Sequence, residues 1–401
     1  MRFILALVCF ASLAFGGSER PKVRAVTAFI NIDPQHYDQQ FDDTLKFLDS
    51  ARKAYIAAGF EVEGVRIATQ AFPRYTAGMS PDGALAFLGK IAALARARHF
   101  ALNIGPAMLE DGDDAAPVDL LIRALVAGGV TSSLVIAGED GIHWRAIGQA
   151  ARLIKEVGAK SANGVGNFSF AAIAMVKPYG PFFPGAYHLG TGHAFAVAFE
   201  GASVVEEVFA HYQEPRRAQE ELTRALSKQM VDAEAAAMNL AKESGWTYAG
   251  IDPTPAPNGS VSIGHAIESF VGAPFGSSGT MTAASIITHA VKAVPIKQVG
   301  YSGLMVPVLE DETLAKRWAE GTYTADSLLA YSAVCAGGLD TVPLPGDTSE
   351  ATIGHMLGDV ASLAFKWKKP LAARLLPAPG KKAGDKTAFS GGKMLLNTTL
   401  R

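Results

Sequence analysis

Hydrophobic positions after residue 22 alternate between short apolar runs and longer amphipathic stretches. Short apolar runs are typical of buried strands, whereas apolar positions spaced three and four residues apart predict helices. The predicted strands are Val23–Ile32, Val62–Thr69, Phe100–Gly105, Ser133–Gly138, Ser169–Val176, Ala194–Phe199, Val299–Val308, Leu339–Leu344 and Leu371–Leu376. The predicted helices are Gln35–Ala58, Pro81 to about Arg98, Pro117–Ala127, Trp144–Val157, Arg217–Glu243, and stretches near 281–293, 312–320, 326–334 and 349–365.

The order of these elements predicts the fold class. About ten strands separated by helices indicate an α/β protein with a mainly parallel sheet, either open or closed into a barrel. No linker rich in proline and serine and no block of like charge divides the chain, and an α/β barrel of this length is a single unit. The sequence therefore predicts one domain over residues 22–398.

The N-terminus has the pattern of an export signal. Arg2 precedes an apolar run, Phe3–Phe15, and small residues follow at Gly16 and Gly17. This pattern predicts a secretory signal peptide over residues 1–17, and the run is shorter than the roughly 20 residues of a transmembrane helix. The alternatives are a later start site or a buried first strand. With the signal the protein is periplasmic or extracellular, and otherwise it is cytoplasmic.

Composition excludes several classes of protein. The 36 Lys and Arg residues against 38 Asp and Glu give a net charge of −2, so no basic excess exists for nucleic acid. Hydrophobic residues make up 49% of the chain, which argues against disorder. Two cysteines cannot build a disulfide scaffold. Later apolar runs are broken by glycine, proline or charge, so we expect no membrane span.

A loop rich in aromatic residues and proline follows the strand that ends at Val176. It contains His188 and His193, five residues apart. A metal would usually require a third ligand, so no metal site is predicted. His188 is a candidate acid–base residue, and the alternative is a rigid turn with surface histidines.

Two other loops suggest polar contacts with a ligand. Asp252 opens a run with alternate prolines that would stiffen a pocket wall, although an aspartate there is also a common turn residue. Ser277, Ser278 and Thr280 lie just before a helix, where hydroxyls and free amides can bind an anion. Ordinary capping of that helix is the alternative.

Near the C-terminus three further residues are candidates. Cys335 ends a helix beside two glycines and is either a nucleophile or, more commonly, a small buried hydrophobe. Asp340 is a candidate catalytic residue on the next strand. Arg374 lies within an apolar strand and needs a partner, which Asp340, Asp347 or a substrate carboxylate could provide.

Taken together, these loops resemble those of domain-of-unknown-function family 711. The resemblance rests on the ordered segments Pro181–His188, Ile251-Asp252, Gly279-Thr280, Cys335 with Gly338–Asp340, Pro345–Thr348 and Pro377–Lys382. That family is similar in fold to pyruvate formate-lyase and the glycyl-radical enzymes. The resemblance therefore implies a ten-stranded α/β barrel.

The resemblance does not imply radical chemistry. Glycyl-radical enzymes carry the motif Arg-Val-x-Gly-Tyr near the C-terminus, whereas this chain has Thr387–Lys393 there, without the motif. Cys335 matches the family's cysteine. Phe275, Ser278 and Leu189 replace residues that other branches of the family use.

Two hypotheses of function follow. The first is an enzyme that acts on a small anionic metabolite, a carboxylate or phosphate, inside the barrel. There Ser277, Ser278 and Thr280 would hold the anion, Arg374 would bind a second negative group, His188 would move a proton and Cys335 would be the nucleophile. The second is a sensor or carrier that binds the same ligand without turnover. The cofactor and the oligomeric state, including a homo-oligomer, stay open.

Overall fold

A computed structural model describes residues 22–390 and 395–401 of the chain. The predicted signal peptide lies outside the described residues. Among the residues that are described, none of the helices has both the length and the apolar character that crossing a bilayer requires.

The first of two five-stranded sheets has the strand order β3-β2-β1-β7-β8. Its strands are β1 (Lys22–Ile30), β2 (Val65–Thr69), β3 (Ala101–Asn103), β7 (Ala194–Glu200) and β8 (Thr247–Asp252). Neighbours are parallel except for the antiparallel pair β1 and β7. The near-continuous apolar sequence of β1 follows from burial of both faces, as in parallel sheets in general.

The second sheet has the order β5-β4-β6-β10-β9. Its strands are β4 (Ser132–Gly138), β5 (Gly141–Ile142), β6 (Phe170–Ala174), β9 (Gly338–Pro345) and β10 (Leu371–Ala378). Strand β6 is parallel to β4, and β10 is parallel to β9. The central pair of β6 and β10 is antiparallel, as is the short hairpin of β4 and β5.

Twelve α-helices of the described residues surround the sheets. They are α1 (Tyr37–Ala57), α2 (Phe72–Thr76), α3 (Pro81–Ala97), α4 (Ala116–Ala127), α5 (Trp144–Lys160), α6 (Ala202–His211), α7 (Pro215–Ser244), α8 (Ile263–Val271), α9 (Thr280–Lys292), α10 (Glu312–Glu320), α11 (Ala325–Ser332) and α12 (Glu350–Trp367). A 3-10 helix, Ala162–Ser169, leads into β6. Helices α1 and α7 pack on the first sheet, and α5 and α12 pack on the second.

Backbone hydrogen bonds connect the two sheets along both of their edges. Beyond β3, Thr131 donates to Leu102 O at 2.9 Å, just before β4 begins. Beyond β8, Val299 donates to Ile251 O at 3.0 Å, and the same segment continues to Val308, which donates to Asp340 O of β9 at 3.0 Å. The faces of the two sheets that point away from the main helices therefore face each other.

A separate apolar cluster fills part of the space between the sheets. It combines Ala198 of β7, Ile173 of β6 and Ala372 of β10 with Phe182 and Met305 from loops. The larger core lies between the sheets and the helices.

The prediction of a strand over Val299–Val308 is wrong, and these residues form an extended connection instead. Gly300 and Ser302 have φ angles of +75° and +47°, which bend the chain out of a strand's geometry. Strand β8 was not predicted, because Gly250 and the prolines after Asp252 are typical of a loop. Gly250 adopts φ +145° within the strand, where a side chain would collide with Lys297 O.

Candidate anion-binding pocket

A cavity of about 240 Å³ lies between the two sheets. Both sheets supply its walls, and the side chains from strands are Arg24, Arg66, Ala101, Ala171, Asp340, Ala372 and Arg374. Loop residues complete the lining, among them Phe182, Phe183, Pro184, Tyr301, Met305 and Glu310. Buried pockets with an apolar lining and a few polar groups are typical of small-molecule sites.

The aromatic loop predicted to carry ligand contacts enters this cavity. Thr27 Oγ1 of β1 donates a hydrogen bond to Pro181 O at 3.0 Å, and Asn103 Nδ2 of β3 donates to Pro184 O at 2.7 Å. Both donors are buried, so each bond also satisfies a polar group of the interior. The loop is therefore fixed to the first sheet on either side of Phe182 and Phe183.

A chain of alternating charges runs along one wall. Arg24 Nη1 lies 2.9 Å from Glu200 Oε1, and Arg24 Nη2 lies 3.3 Å from Glu310 Oε2. Arg374 binds the other oxygen of Glu310 and also Asp340, whose Oδ1 lies 2.5 Å from Nε. Two arginines and three carboxylates are thus paired between the sheets, with one more negative than positive charge.

Burial and neighbouring charges have opposite effects on the pKa values of these ion-paired groups. Burial raises the pKa of Asp340 above its ordinary value although Arg374 acts to lower it. Burial alone would lower the pKa of Arg374, but Asp340 and Glu310 raise it above the ordinary value. Arg374 is therefore a permanent cation that is already neutralised by protein carboxylates.

Arg66 of β2 differs from the other two arginines of the cavity. Within residues 22–390 and 395–401 its side chain forms no ion pair and no hydrogen bond, and its Cζ lies 5.2 Å from the centre of the Phe183 ring. Burial, with a smaller effect of Arg24, lowers its pKa to about 10, so the guanidinium is still charged at neutral pH. Arg66 is partly buried and lines the cavity.

Of the predicted site residues, the structure brings Asp340 and Arg374 together in the cavity. The sequence left Asp340, Asp347 and a substrate carboxylate as possible partners of Arg374, and in the structure the partner is Asp340. Glu310, which the sequence analysis did not single out, is the second partner.

Asp252 lies beside the cavity and supports its wall. Its fully buried carboxylate accepts hydrogen bonds from Tyr301 N at 2.7 Å, from Ser302 N at 3.1 Å, and from both N and Oγ1 of Thr254. Burial raises its pKa to about 6 against the effect of these donors. Since Tyr301 lines the cavity, Asp252 fixes the backbone that presents that ring.

His188 is buried away from the cavity lining. Its exposed fraction is 1%, and neither ring nitrogen has a hydrogen-bond partner among the described residues. Burial, with a contribution from His193, lowers its pKa to about 4. In the part of the chain that the structure describes, no three His, Cys, Asp or Glu side chains are grouped as metal ligands.

Cys335 is also buried, with an exposed fraction of 1%, and does not line the cavity. Burial raises the pKa of its thiol, and Lys369 opposes that shift only in part. A thiol in this environment stays protonated at neutral pH, which is unfavourable for a nucleophile.

The serine-rich loop lies at the start of α9, apart from the cavity. Ser278 is exposed and Ser277 is partly buried. Thr280 is buried, and its Oγ1 accepts a hydrogen bond from Gly276 N at 3.1 Å. Thr280 also forms a side-chain hydrogen bond with Tyr331 of α11, so its hydroxyl is used within the protein.

Three charged residues of the cavity lining, Arg24, Arg66 and Glu310, were not predicted from the sequence. The signal for the two arginines was present, since Arg24 and Arg66 each interrupt an apolar strand as Arg374 does. A charge in such a position predicts an inward-facing ionic group. Glu310 lies in an irregular segment, and its position follows only from the tertiary structure.

The fold and the cavity define an α/β protein with two five-stranded sheets around an arginine-lined pocket. Residues 17–390 match the sequence profile of the family described as Uncharacterised ACR (DUF711). The chain therefore belongs to the DUF711 family.

Several relatives carry the name UPF0210 protein. One from Pyrobaculum aerophilum is 36% identical over 226 residues, which cover 54% of this chain and 50% of the relative. One from Pyrobaculum arsenaticum is 33% identical, with 68% and 62% covered. One from Oleidesulfovibrio alaskensis is 31% identical, with 71% and 67% covered. The alignments thus span between half and two thirds of these relatives' own length.

Proposed function

We propose that this protein binds a small anionic metabolite in the cavity between its sheets, with Arg66 as the anchor. The observation that carries the proposal is the guanidinium of Arg66, which lines the cavity and forms no ion pair or hydrogen bond with the described residues. A partly buried cation without a direct partner is costly, and an anionic ligand reduces that cost. Arg24 and Arg374 stabilise the surrounding wall through ion pairs with Glu200, Glu310 and Asp340.

We also propose that the two sheets together form a barrel. The two sheets would be the halves of a ten-stranded α/β barrel of the type that the resemblance to pyruvate formate-lyase implies. The hydrogen bonds of Thr131 and Val299 across the two sheet edges support closure. The loop Phe182–Pro184 would then lie inside the barrel and form one wall of the ligand site.

Ligand binding is the step that the enzyme and the carrier hypotheses share. Of the three predicted catalytic residues, Asp340 lines the cavity but is engaged by Arg374, whereas His188 and Cys335 lie outside the lining. This arrangement favours a sensor or carrier over an enzyme. We also propose, from the sequence pattern alone, that residues 1–17 direct export of the protein.

Thermal unfolding of the full chain with added anions tests this function. We expect at least one of benzoate, succinate or phosphate to raise the melting temperature, since a ligand that binds the folded state stabilises it. The variant Arg66→Met should lose that rise, whereas Arg216→Gln, which removes an exposed arginine on α7, should keep it. An equal rise in Arg66→Met would contradict the proposal.

A further inference from the structure

We propose that the ligand of this cavity is a monocarboxylate with a compact apolar body, rather than a phosphate or a dicarboxylate. The inference rests on the proposed function and names the class of anion. Three features of the cavity carry it, namely its charge balance, the shape of the Arg66 guanidinium and its apolar walls.

The charge balance disfavours a dianion more than a monoanion. Arg24 and Arg374 share three carboxylates, those of Glu200, Glu310 and Asp340. These five groups carry one more negative than positive charge, and Arg66 brings the total to zero, so each negative charge of a ligand adds to a balanced site. A second anionic group in the cavity would lie near Glu310 and Asp340, which line it as well. Like charges in a poorly solvated space repel strongly, so a dianion is disfavoured.

Three nearby carboxylates also interact electrostatically with Arg66. Glu310, Glu63 and Glu200 each act to raise the pKa of Arg66, in opposition to burial and to Arg24. These carboxylates stabilise the cation from a distance without bonding to it. They would also repel the outer charge of a phosphate dianion placed on Arg66.

The shape of the cation favours a carboxylate. A guanidinium offers two parallel N–H groups that match the two oxygens of a carboxylate. Phosphate sites usually add backbone N–H groups from the first turn of a helix. The residues that line this cavity belong to strands, loops and the end of one 3-10 helix, so they supply no such turn.

The rest of the lining is suited to an apolar body. Phe182, Phe183, Phe168 and Met305 share the cavity with Ala171 and Ala372. The ring of Phe183 lies beside the Arg66 guanidinium, so a group bonded to the carboxylate would contact that ring. A volume of about 240 Å³ equals roughly eight water molecules at about 30 Å³ each, which corresponds to a ligand on the order of ten heavy atoms.

Isothermal titration of the full chain at pH 7.5 with five probes tests the inference. The probes are benzoate, its neutral analogue benzamide, acetate, succinate and inorganic phosphate. We expect benzoate to bind at least about tenfold more tightly than succinate or phosphate, which corresponds to about 1.4 kcal/mol. Benzamide should give no heat of binding, because it lacks the charge that Arg66 requires. The variant Phe183→Leu should weaken benzoate but leave acetate unchanged.

The outcomes separate the inference from the proposed function. If succinate or phosphate binds through Arg66 and benzoate does not, the inference is wrong and the anion site stands. If no anion binds, or if Arg66→Met binds every probe like the wild type, both fail. Should Arg66→Met not fold, Arg66→Lys keeps the charge without the paired N–H groups and should weaken benzoate by about tenfold. Unchanged binding in Arg66→Lys would overturn the bidentate contact.

Discussion

Oε2 of Glu310 lies 3.3 Å from Nη2 of Arg24, which joins a loop residue to the first sheet. The other carboxylate oxygen of Glu310 binds Arg374 of the second sheet. A single buried carboxylate therefore connects the two sheets through one arginine from each. This contact fixes the distance between the walls of the cavity.

Replacement of Glu310 by glutamine should destabilise the fold. The change leaves Arg24 with Glu200 and Arg374 with Asp340, but removes the negative charge between the two cations. Because each arginine keeps one carboxylate, the cost is that of the lost charge-assisted hydrogen bonds, about 1.5–3 kcal/mol. We expect a decrease of that size in the free energy of unfolding, measured by urea denaturation.

Glu220→Gln is the matched control for that change. Glu220 is exposed on α7, so its loss should change the free energy of unfolding by less than about 0.5 kcal/mol. If Glu310→Gln is as stable as this control, the bridge does not hold the sheets together.

The variant His188→Leu should reduce the sensitivity of the protein to acid. Burial lowers the pKa of His188 from 6.5 to about 4, so between these values the unfolded chain takes up a proton that the folded chain does not. The contribution of the neutral ring to stability is therefore complete above pH 6.5 and is lost as the pH falls toward 4. Between pH 7.5 and 5 this loss amounts to about 2 kcal/mol.

Urea unfolding at pH 7.5 and pH 5 measures that difference. The wild type should lose about 2 kcal/mol more than His188→Leu, because the two proteins share every other titrating group. His211→Asn, at an exposed position at the end of α6, should behave like the wild type. Equal losses in wild type and His188→Leu would show that the ring is protonated in the folded protein.

Much of the fold could be predicted from the sequence, and the reason is visible in particular elements. Helix α3 begins after Ser80, whose side chain accepts from Gly83 N, with Pro81 in the first turn. These are local signals, so the predicted start of the helix is confirmed. The arrangement of strands into two sheets depends on contacts between distant residues, such as β1 with β7, which no local pattern specifies.

The candidate site was predicted only in part. Arg374 could be found because a charge in an apolar strand needs a partner, and that partner is Asp340. Ser277 and Ser278, predicted from a glycine-rich loop, lie outside this cavity, and such loops cap helices as well as bind ligands. Arg66 differs from Arg374 in that it has no hydrogen-bond or ion-pair partner among residues 22–390 and 395–401, and this difference depends on the tertiary structure.

Cys335 should be unreactive in the folded protein. In a Cys9→Ala background it is the only thiol, so labelling with iodoacetamide reports on it alone. Burial and the raised pKa predict labelling at least about 100-fold slower than in denaturant, because the thiol must first become exposed by local opening. Labelling in the folded state at the denatured rate would restore the nucleophile hypothesis.

The serine-rich loop should be dispensable for anion binding. Ser278→Ala removes an exposed hydroxyl outside the cavity, so the affinity for benzoate should stay within about twofold. Thr280→Val removes the acceptor for Gly276 N and should cost about 1 kcal/mol of stability without weakening the ligand. A loss of benzoate binding in Ser278→Ala would move the anion site to the start of α9.

Anomalous diffraction from crystals soaked in 4-bromobenzoate tests the central claim most directly. The bromine marks the apolar end of the ligand, and the electron density shows where the carboxylate lies. We predict a bromine peak within the cavity, among Phe168, Phe182 and Met305, with both carboxylate oxygens on the Arg66 guanidinium. Bromine found only outside the cavity, or a carboxylate bound inside it without contact to Arg66, would contradict the account.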